Sequence, residues 1–319
     1  AGVGTDQYGM GMALGDFDAD GDLDWFITSI HGHNGCDGNR LFRYEGNRRF
    51  ADVTDDSRVR VGGWGWGCNF LDYNNDGDLD LMMVNGMNGA PDDMSLLWRN
   101  MGRGVMSQVN FLEGITDEKV ATGTLTLDYD NDGDVDLLVV NNGDKPILYR
   151  NNSCSTMDWL QVKTVGTRSN RDGVGAMLRL YFTHSDIPLL RFVDGGSNFL
   201  GQNERRVHFG LGAADNPIHK LEIMWPSGRI QMVHDIPRNQ VLTITEPLPR
   251  LLTPARLSLR QGQPHVTWSC QSDIRCLLEV SEDLLSWRKA AAIVSRQHVI
   301  SWHDRITPRP LTRFYRAWY

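Results

Sequence analysis

Asp16-Phe17-Asp18-Ala19-Asp20-Gly21-Asp22-Leu23-Asp24, Asp72-Tyr73-Asn74-Asn75-Asp76-Gly77-Asp78-Leu79-Asp80 and Asp128-Tyr129-Asp130-Asn131-Asp132-Gly133-Asp134-Val135-Asp136 are one nine-residue pattern written three times. Their first aspartates are 56 residues apart at both steps. A fixed period of that size marks a structural repeat such as a propeller blade or an array. Four or five carboxylates within nine residues repel one another unless a cation sits among them. Side chains at loop positions 1, 3 and 5 converge, glycine at position 6 allows the sharp turn, and the carbonyl of position 7 points inward. All of these donors are hard oxygens, which suits Ca²⁺. An EF-hand would place a bidentate Glu at position 12, but Ile27, Met83 and Val139 stand there. The last ligand is instead Asp24, Asp80 or Asp136, at position 9.

The flanks of the loops read as strands rather than EF-hand helices. Short apolar, partly β-branched runs follow them at 25–28, 81–84 and 137–140, and strand-like segments precede them at 10–14, 67–71 and 123–127. A third run recurs at 40–44, 96–99 and 147–150. Each loop is thus expected to join two antiparallel strands. A single such loop would read as an Asp-Gly turn; three copies in register point to calcium, one ion per loop.

Charge follows the loops. Of the 319 residues, 1–153 hold 11 Lys/Arg against 26 Asp/Glu, and 14 of those acids lie in the three loops. Residues 154–249 are near neutral and 250–319 are basic, within a net charge of −8. Three Ca²⁺ would bring −8 close to neutrality. An acidic half argues against nucleic acid, whose phosphates need a basic face. No apolar run approaches the ~20 residues of a membrane span. Ten tryptophans and 33 glycines suit turn-rich β architecture. Beginning at Ala1, the sequence reads as a processed product or a piece of a longer precursor.

The loops, the lead-in Met10-Gly-Met-Ala-Leu-Gly-Asp16 and the continuation 39–54 resemble FG-GAP/VCBS repeats, the units of integrin-α-type β-propellers. The resemblance covers residues 1 to about 150 and implies calcium-loop blades over 1–153. Closed propellers need about 4–8 blades, and three calcium repeats are visible. Either further blades were lost, or degenerate ones are supplied elsewhere, or another chain completes the sheet. An unfinished array leaves a strand edge open to pairing or polymerisation.

Six strand-like segments between 159 and 246, punctuated by Gly and Pro, suggest a β-sandwich over 154–248. Ser169-Asn-Arg-Asp-Gly-Val-Gly-Ala176, Gly195-Gly-Ser-Asn-Phe-Leu-Gly-Gln202, Val207-His-Phe-Gly-Leu-Gly212 and Trp225-Pro-Ser-Gly228, in that order, resemble the ASPIC/UnbV domain, which follows such blades in many secreted proteins. It brings no catalytic residues to transfer. After Pro247-Leu-Pro249, the segment 249–319 resembles a small fibronectin-like β-module. The fold expected is all-β throughout.

Calcium repeats favour an oxidising compartment. Among Cys36, Cys68, Cys154, Cys270 and Cys276, the last two are expected to pair, a Cys36–Cys68 bond is an option, and Cys154 is left over. His31-Gly-His33-Asn-Gly-Cys36 reads as a polar loop rather than a metal site. Asn151-Asn-Ser153 is a glycosylation sequon. GxSxG, HExxH, Walker A and GxGxxG are missing, so no enzyme is expected. The function expected is that of a secreted or cell-surface calcium-binding adhesion protein with protein, matrix or glycan partners. Alternatives are a filament subunit completing its sheets in trans, and a carbohydrate-binding module using Trp268, Trp287, Trp302 and Trp318.

Overall fold

Each acidic loop turns a strand back onto an antiparallel neighbour, and the aspartate at position 9 is the first residue of that neighbour. The computed structural model describes residues 2–3, 8–32, 35, 37–87, 94–153, 156–185, 187–213, 216–248, 251–252, 254–260, 263–270, 275–295, 299–304 and 313–318. Among them every helix or strand element is a strand.

The first repeat is the four-stranded sheet β1(Met12–Gly15), β2(Asp24–Ile27), β3(Arg40–Tyr44) and β4(Phe50–Asp52), paired in that order. The second is β5(Gly65–Leu71), β6(Asp80–Asn85), β7(Leu96–Asn100) and β8(Met106–Gln108), again in order. The third holds β9(Ala121–Leu127), β10(Asp136–Asn141) and β11(Ile147–Tyr149). Gly15 pairs with Asp24, Leu71 with Asp80 and Leu127 with Asp136, so all three loops leave the sheet at the same register.

Packing follows the period-2 alternation of strands. β6 is buried on both faces. Leu81 and Met83 join Phe26, Leu41 and Trp98 in a core shared with the first repeat. Met82 and Val84 join Leu137 and Val139 in a core shared with the third. The three first strands lie close because glycine recurs at the repeat period. A Cβ on Gly11 would fall 2.3 Å from the Trp66 carbonyl oxygen, and one on Gly67 3.2 Å from Gly123 Cα.

Residues 154–248 form β12(Asp158–Val165), β13(Met177–Phe182), β14(Leu189–Phe192), β15(Val207–Gly212), β16(Ile218–Met224), β17(Ile230–Val233) and β18(Gln240–Thr245). They make two sheets, ordered β15-β12-β18 and β14-β13-β16-β17, with β12 and β18 parallel. One core joins both sheets through Leu160, Val162, Leu178, Leu180, Phe209, Leu221, Ile223, Trp225 and Ile244. The tail adds β19(Leu251–Leu252), β20(Pro254–Arg260), β21(Gln263–Ser269), β22(Arg275–Ser281), β23(Arg288–Val294), β24(Val299–His303) and β25(Phe314–Trp318), in sheets β19-β25-β22-β23 and β20-β21-β24. Trp268, Cys276, Leu278 and Ile300 lie in their common core.

One segment ties the second region to all three repeats. Asn198 exchanges backbone hydrogen bonds with Met12 on β1, and its Nδ2 donates to the Thr124 carbonyl on β9. Asn203 Nδ2 donates to Asn69 Oδ1 on β5 at 2.7 Å, and its Oδ1 accepts the Thr126 N–H at 3.1 Å. Glu204 N–H donates to the Thr126 carbonyl. Residues 198–204 therefore touch the first strand of every repeat.

Several sequence expectations meet this structure differently. Cys270 and Cys276 are adjacent thiols, not a disulfide, and burial with the neighbouring Cys270 pushes the Cys276 thiol up to about 12. His33, Cys36 and Cys154 lie outside the described residues. The sequon asparagine is engaged: Asn151 Nδ2 donates to the carbonyls of Tyr73 at 2.6 Å and Val135 at 3.2 Å, bonds that a glycan on that nitrogen would break. Trp268 is fully buried, and Arg316 stacks on both Trp287 and Trp318.

Candidate metal centre

The three loops share one hydrogen-bond frame. The position-1 carboxylate accepts the N–H groups of positions 5 and 6, one on each oxygen. For Asp16 these are Asp20 and Gly21 at 3.0 and 3.1 Å; for Asp72, Asp76 and Gly77 at 3.1 and 2.9 Å; for Asp128, Asp132 and Gly133 at 3.2 and 3.1 Å. Positions 4 and 6 take positive φ in all three: Ala19, Asn75 and Asn131 at 56–60°, and Gly21, Gly77 and Gly133 at 95–97°. Asn tolerates that conformation better than Ala. The position-9 carboxylates accept the N–H of position 2 (Phe17, Tyr73, Tyr129) on one oxygen and that of the residue ending or following the third strand (Tyr44, Asn100, Asn151) on the other. This second anchor has no signal at the loop itself; it shows only when 40–44, 96–100 and 147–151 are aligned.

These anchors bring the carboxylates together. One oxygen each from Asp16, Asp18 and Asp24 lies within 4.8 Å of the others, and so do oxygens of Asp128, Asp130 and Asp136. Asp18 Oδ1 and Asp130 Oδ1 are buried with no hydrogen-bond partner. In the second loop Asn74 replaces the central carboxylate, and its Nδ2 donates to Asp76 Oδ2 at 2.7 Å. The side chains of Asp20, Asp22 and Asp132 are exposed, and those of Asp76 and Asp78 half-buried. Asp134 Oδ1 accepts from Asn75 Nδ2 at 3.2 Å. Positions 5 and 7 thus hold the turn, while in loops 1 and 3 the carboxylates of positions 1, 3 and 9 converge.

The electrostatics call for a cation. Burial pushes Asp16 and Asp72 up to about 7, Asp24 up to about 8 and Asp80 up to about 9, and it raises Asp136 as well. Buried acids left alone keep protons because charge costs too much there. A divalent ion at the point of convergence lets them ionise. The orphaned oxygens of Asp18 and Asp130 and the all-oxygen donor set fit calcium. Arg43, Arg99 and Arg150 reach the loops from the third strands, but these pairs are half-exposed and contribute little.

Residues of the second region complete the wall. Gln161 Nε2 donates to Asp128 Oδ2 at 2.7 Å, and Gly210 N–H to Asp72 Oδ2 at 3.1 Å. Arg206 reaches the Asp128 carbonyl and Asn131 Oδ1, both at 2.8 Å. His208 Nε2 lies 2.6 Å from Asn75 Oδ1; burial, with Arg191 and Arg206 nearby, lowers it to about 3, so the ring is neutral. Sequence reading found none of these contacts, since each residue sits in a strand or, for Arg206, just before one, with no local mark of what lies across from it.

A second buried carboxylate has a structural task. Glu246 accepts the N–H groups of Thr167, Arg168 and Ser169 at 2.8–2.9 Å, and the Ser169 and Ser227 hydroxyls. It joins two of the quoted sequence motifs. Burial opposes its charge, but these hydrogen bonds win and hold it at about 2, below its usual 4.5. A depressed carboxylate adds stability that is present above the unfolded value and lost as pH falls through the folded one. Glu246→Gln is therefore expected to cost about 2 kcal/mol at pH 7. In urea melts the gap from wild type should close between pH 4.5 and 2; a gap independent of pH would contradict this account.

Residues 16–83 match the FG-GAP-like repeat, and residues 166–249 match ASPIC and UnbV. Cartilage acidic protein 1 of Homo sapiens is 30% identical over 275 residues, covering 80% of this chain and 39% of that protein. The Mus musculus protein of the same name is 29% identical over 258 residues, covering 76% and 38%. The Xenopus tropicalis protein is 28% identical over 258 residues, covering 76% and 37%. The chain thus spans about two fifths of the length of these curated relatives.

Proposed function

We propose that the chain is an extracellular, calcium-stabilised interaction protein that works through its surfaces and not as a catalyst. The observation that carries this is the convergence of Asp16, Asp18 and Asp24, and of Asp128, Asp130 and Asp136, with a buried unpartnered oxygen in each group. The matched FG-GAP-like repeat and the similarity to a cartilage protein support it. In this reading 1–153 are propeller blades with one Ca²⁺ each, 154–248 a β-sandwich seated on the loops, and 249–319 a small fibronectin-like β-unit. Asp, Asn and backbone oxygens of the loops hold the ion, which lets the carboxylates stay charged inside the fold. Calcium modules outside cells bind at about 10⁻⁴–10⁻³ M, so the sites would fill there and stay largely empty in cytosol. The partner is a protein or matrix component. The carbohydrate-binding alternative is weakened, because Trp268 is fully buried, the half-buried Trp302 packs on Tyr315, and Arg316 lies over Trp287 and Trp318.

Metal analysis of the chain after dialysis against millimolar calcium tests the reading. We expect calcium at about three equivalents, close to one per loop. Protein that retains none would remove the basis of the proposal.

A further inference from the structure

The loops share a backbone frame but not a charge environment. Loops 1 and 3 each hold five carboxylates; loop 2 holds four, because Asn74 stands at position 3. Loop 2 also faces a buried cation from outside its repeat. Arg191 on β14 is 8% exposed. Its Nη2 lies 2.9 Å from the Gly77 carbonyl oxygen and 3.9 Å from Asp72 Oδ2. Its Nη1 donates to the Leu190 carbonyl at 3.0 Å, and its Nε has no hydrogen-bond partner. Asp72 Oδ2 thus meets the N–H groups of Gly77 and Gly210 together with a guanidinium. In loop 3 the corresponding oxygen, Asp128 Oδ2, meets Gly133 N–H and the neutral Gln161 amide.

Calcium affinity follows the number and charge of the ligands. A fixed positive charge a few ångströms from the ion opposes it, most strongly where water is excluded. We propose that loop 2 is the weak calcium site of the three, filled after loops 1 and 3, and that Arg191 and Asn74 set its affinity. Arg191 belongs to the second region, so how residues 154–248 are seated tunes this site. The guanidinium partly takes the ion's place beside Asp72. The second region therefore stays docked on loop 2 even when that loop is empty. This inference rests on the calcium reading above.

Calorimetric titration of the chelator-treated full chain with calcium chloride tests it. Two tight binding events are expected, with a third weaker by about tenfold or more. Asn74→Asp adds a carboxylate and Arg191→Met removes the opposing charge. Each should tighten the third event about tenfold, and Asn74→Asp should leave the first two in place. Asp72→Asn should abolish the third event alone. If Arg191→Met does not fold, Asn74→Asp, a change within the loop, decides the matter. Three indistinguishable events, or a third event unmoved by Asn74→Asp, would overturn the inference and leave the calcium reading standing. An absence of any calcium uptake would overturn both.

Discussion

Stripping calcium from the full chain with a chelator is expected to lower its melting temperature by on the order of 15 °C. The magnitude follows from mass action. At 10 mM calcium and a dissociation constant of about 10⁻⁴ M, one site that exists only in the folded state adds roughly 2.7 kcal/mol. Two such sites and a third about tenfold weaker add roughly 7 kcal/mol, and a chain of this size loses about 2 °C for each kcal/mol. The structure says why the dependence should be steep. Asp16, Asp24, Asp72 and Asp80 are each at most 3% exposed, so solvent does little to screen them once the ion leaves. Their hydrogen-bond partners are the amides that shape the turn, so a rearrangement that spreads the charges also breaks the loop. Magnesium should restore little, because its octahedral demand and tight hydration fit poorly in loops whose oxygens are already fixed by backbone donors. Calorimetric melts with calcium, with chelator and with magnesium check this. Coincident calcium and chelator melts would show that the loops are stable without an ion.

Much of this architecture was legible because it repeats. The period of 56 fixed which aspartates align, and the apolar runs beside them became β1, β2, β5, β6, β9 and β10. The short strands β4, β8 and β17 carried weaker patterns, since each has at most one buried residue. The parallel pairing of β12 with β18 joins segments some 80 residues apart, and no alternation of apolar residues encodes a neighbour. Within the candidate site, the carboxylates could be read and their environment could not. Leu189-Leu-Arg-Phe192 scans as an ordinary strand, and only the fold shows that Arg191 ends beside Asp72. Gln161, Arg206 and His208 are hidden in the same way. Asn100 and Asn151 stood in plain view, as the last residues of Leu97-Trp-Arg-Asn100 and Leu148-Tyr-Arg-Asn151. Their meaning needed the third dimension, since each reaches back to the loop of the preceding repeat.

That reach leads to the second large effect expected, at Asn100. The side chain is 2% exposed. Its Nδ2 donates to the carbonyl of Phe17, in the loop of the first repeat, at 2.7 Å, and to that of Leu79, in its own loop, at 3.1 Å. Its Oδ1 accepts the N–H groups of Gly102 and Gly104 at 3.0 and 3.2 Å. Alanine there would leave two carbonyls and two amides without their partner. Each buried orphan costs about 1–3 kcal/mol, and they relax together, so Asn100→Ala should cost about 3–4 kcal/mol in all. Asn151 makes the same reach, to Tyr73 and Val135. It is half-buried, so water can replace part of what alanine removes, and Asn151→Ala should cost about half as much. Tyr44 holds the matching place in the first repeat and gives its position-9 aspartate only a backbone N–H, at 2.8 Å. Asn100→Asp sharpens the test. It keeps the acceptor for Gly102 and Gly104 but turns a carboxylate toward two carbonyl oxygens, so it should destabilise at least as much as alanine. Urea unfolding at saturating calcium measures all three variants. If Asn100→Ala costs less than about 1 kcal/mol, this reach is not what holds the first and second repeats together.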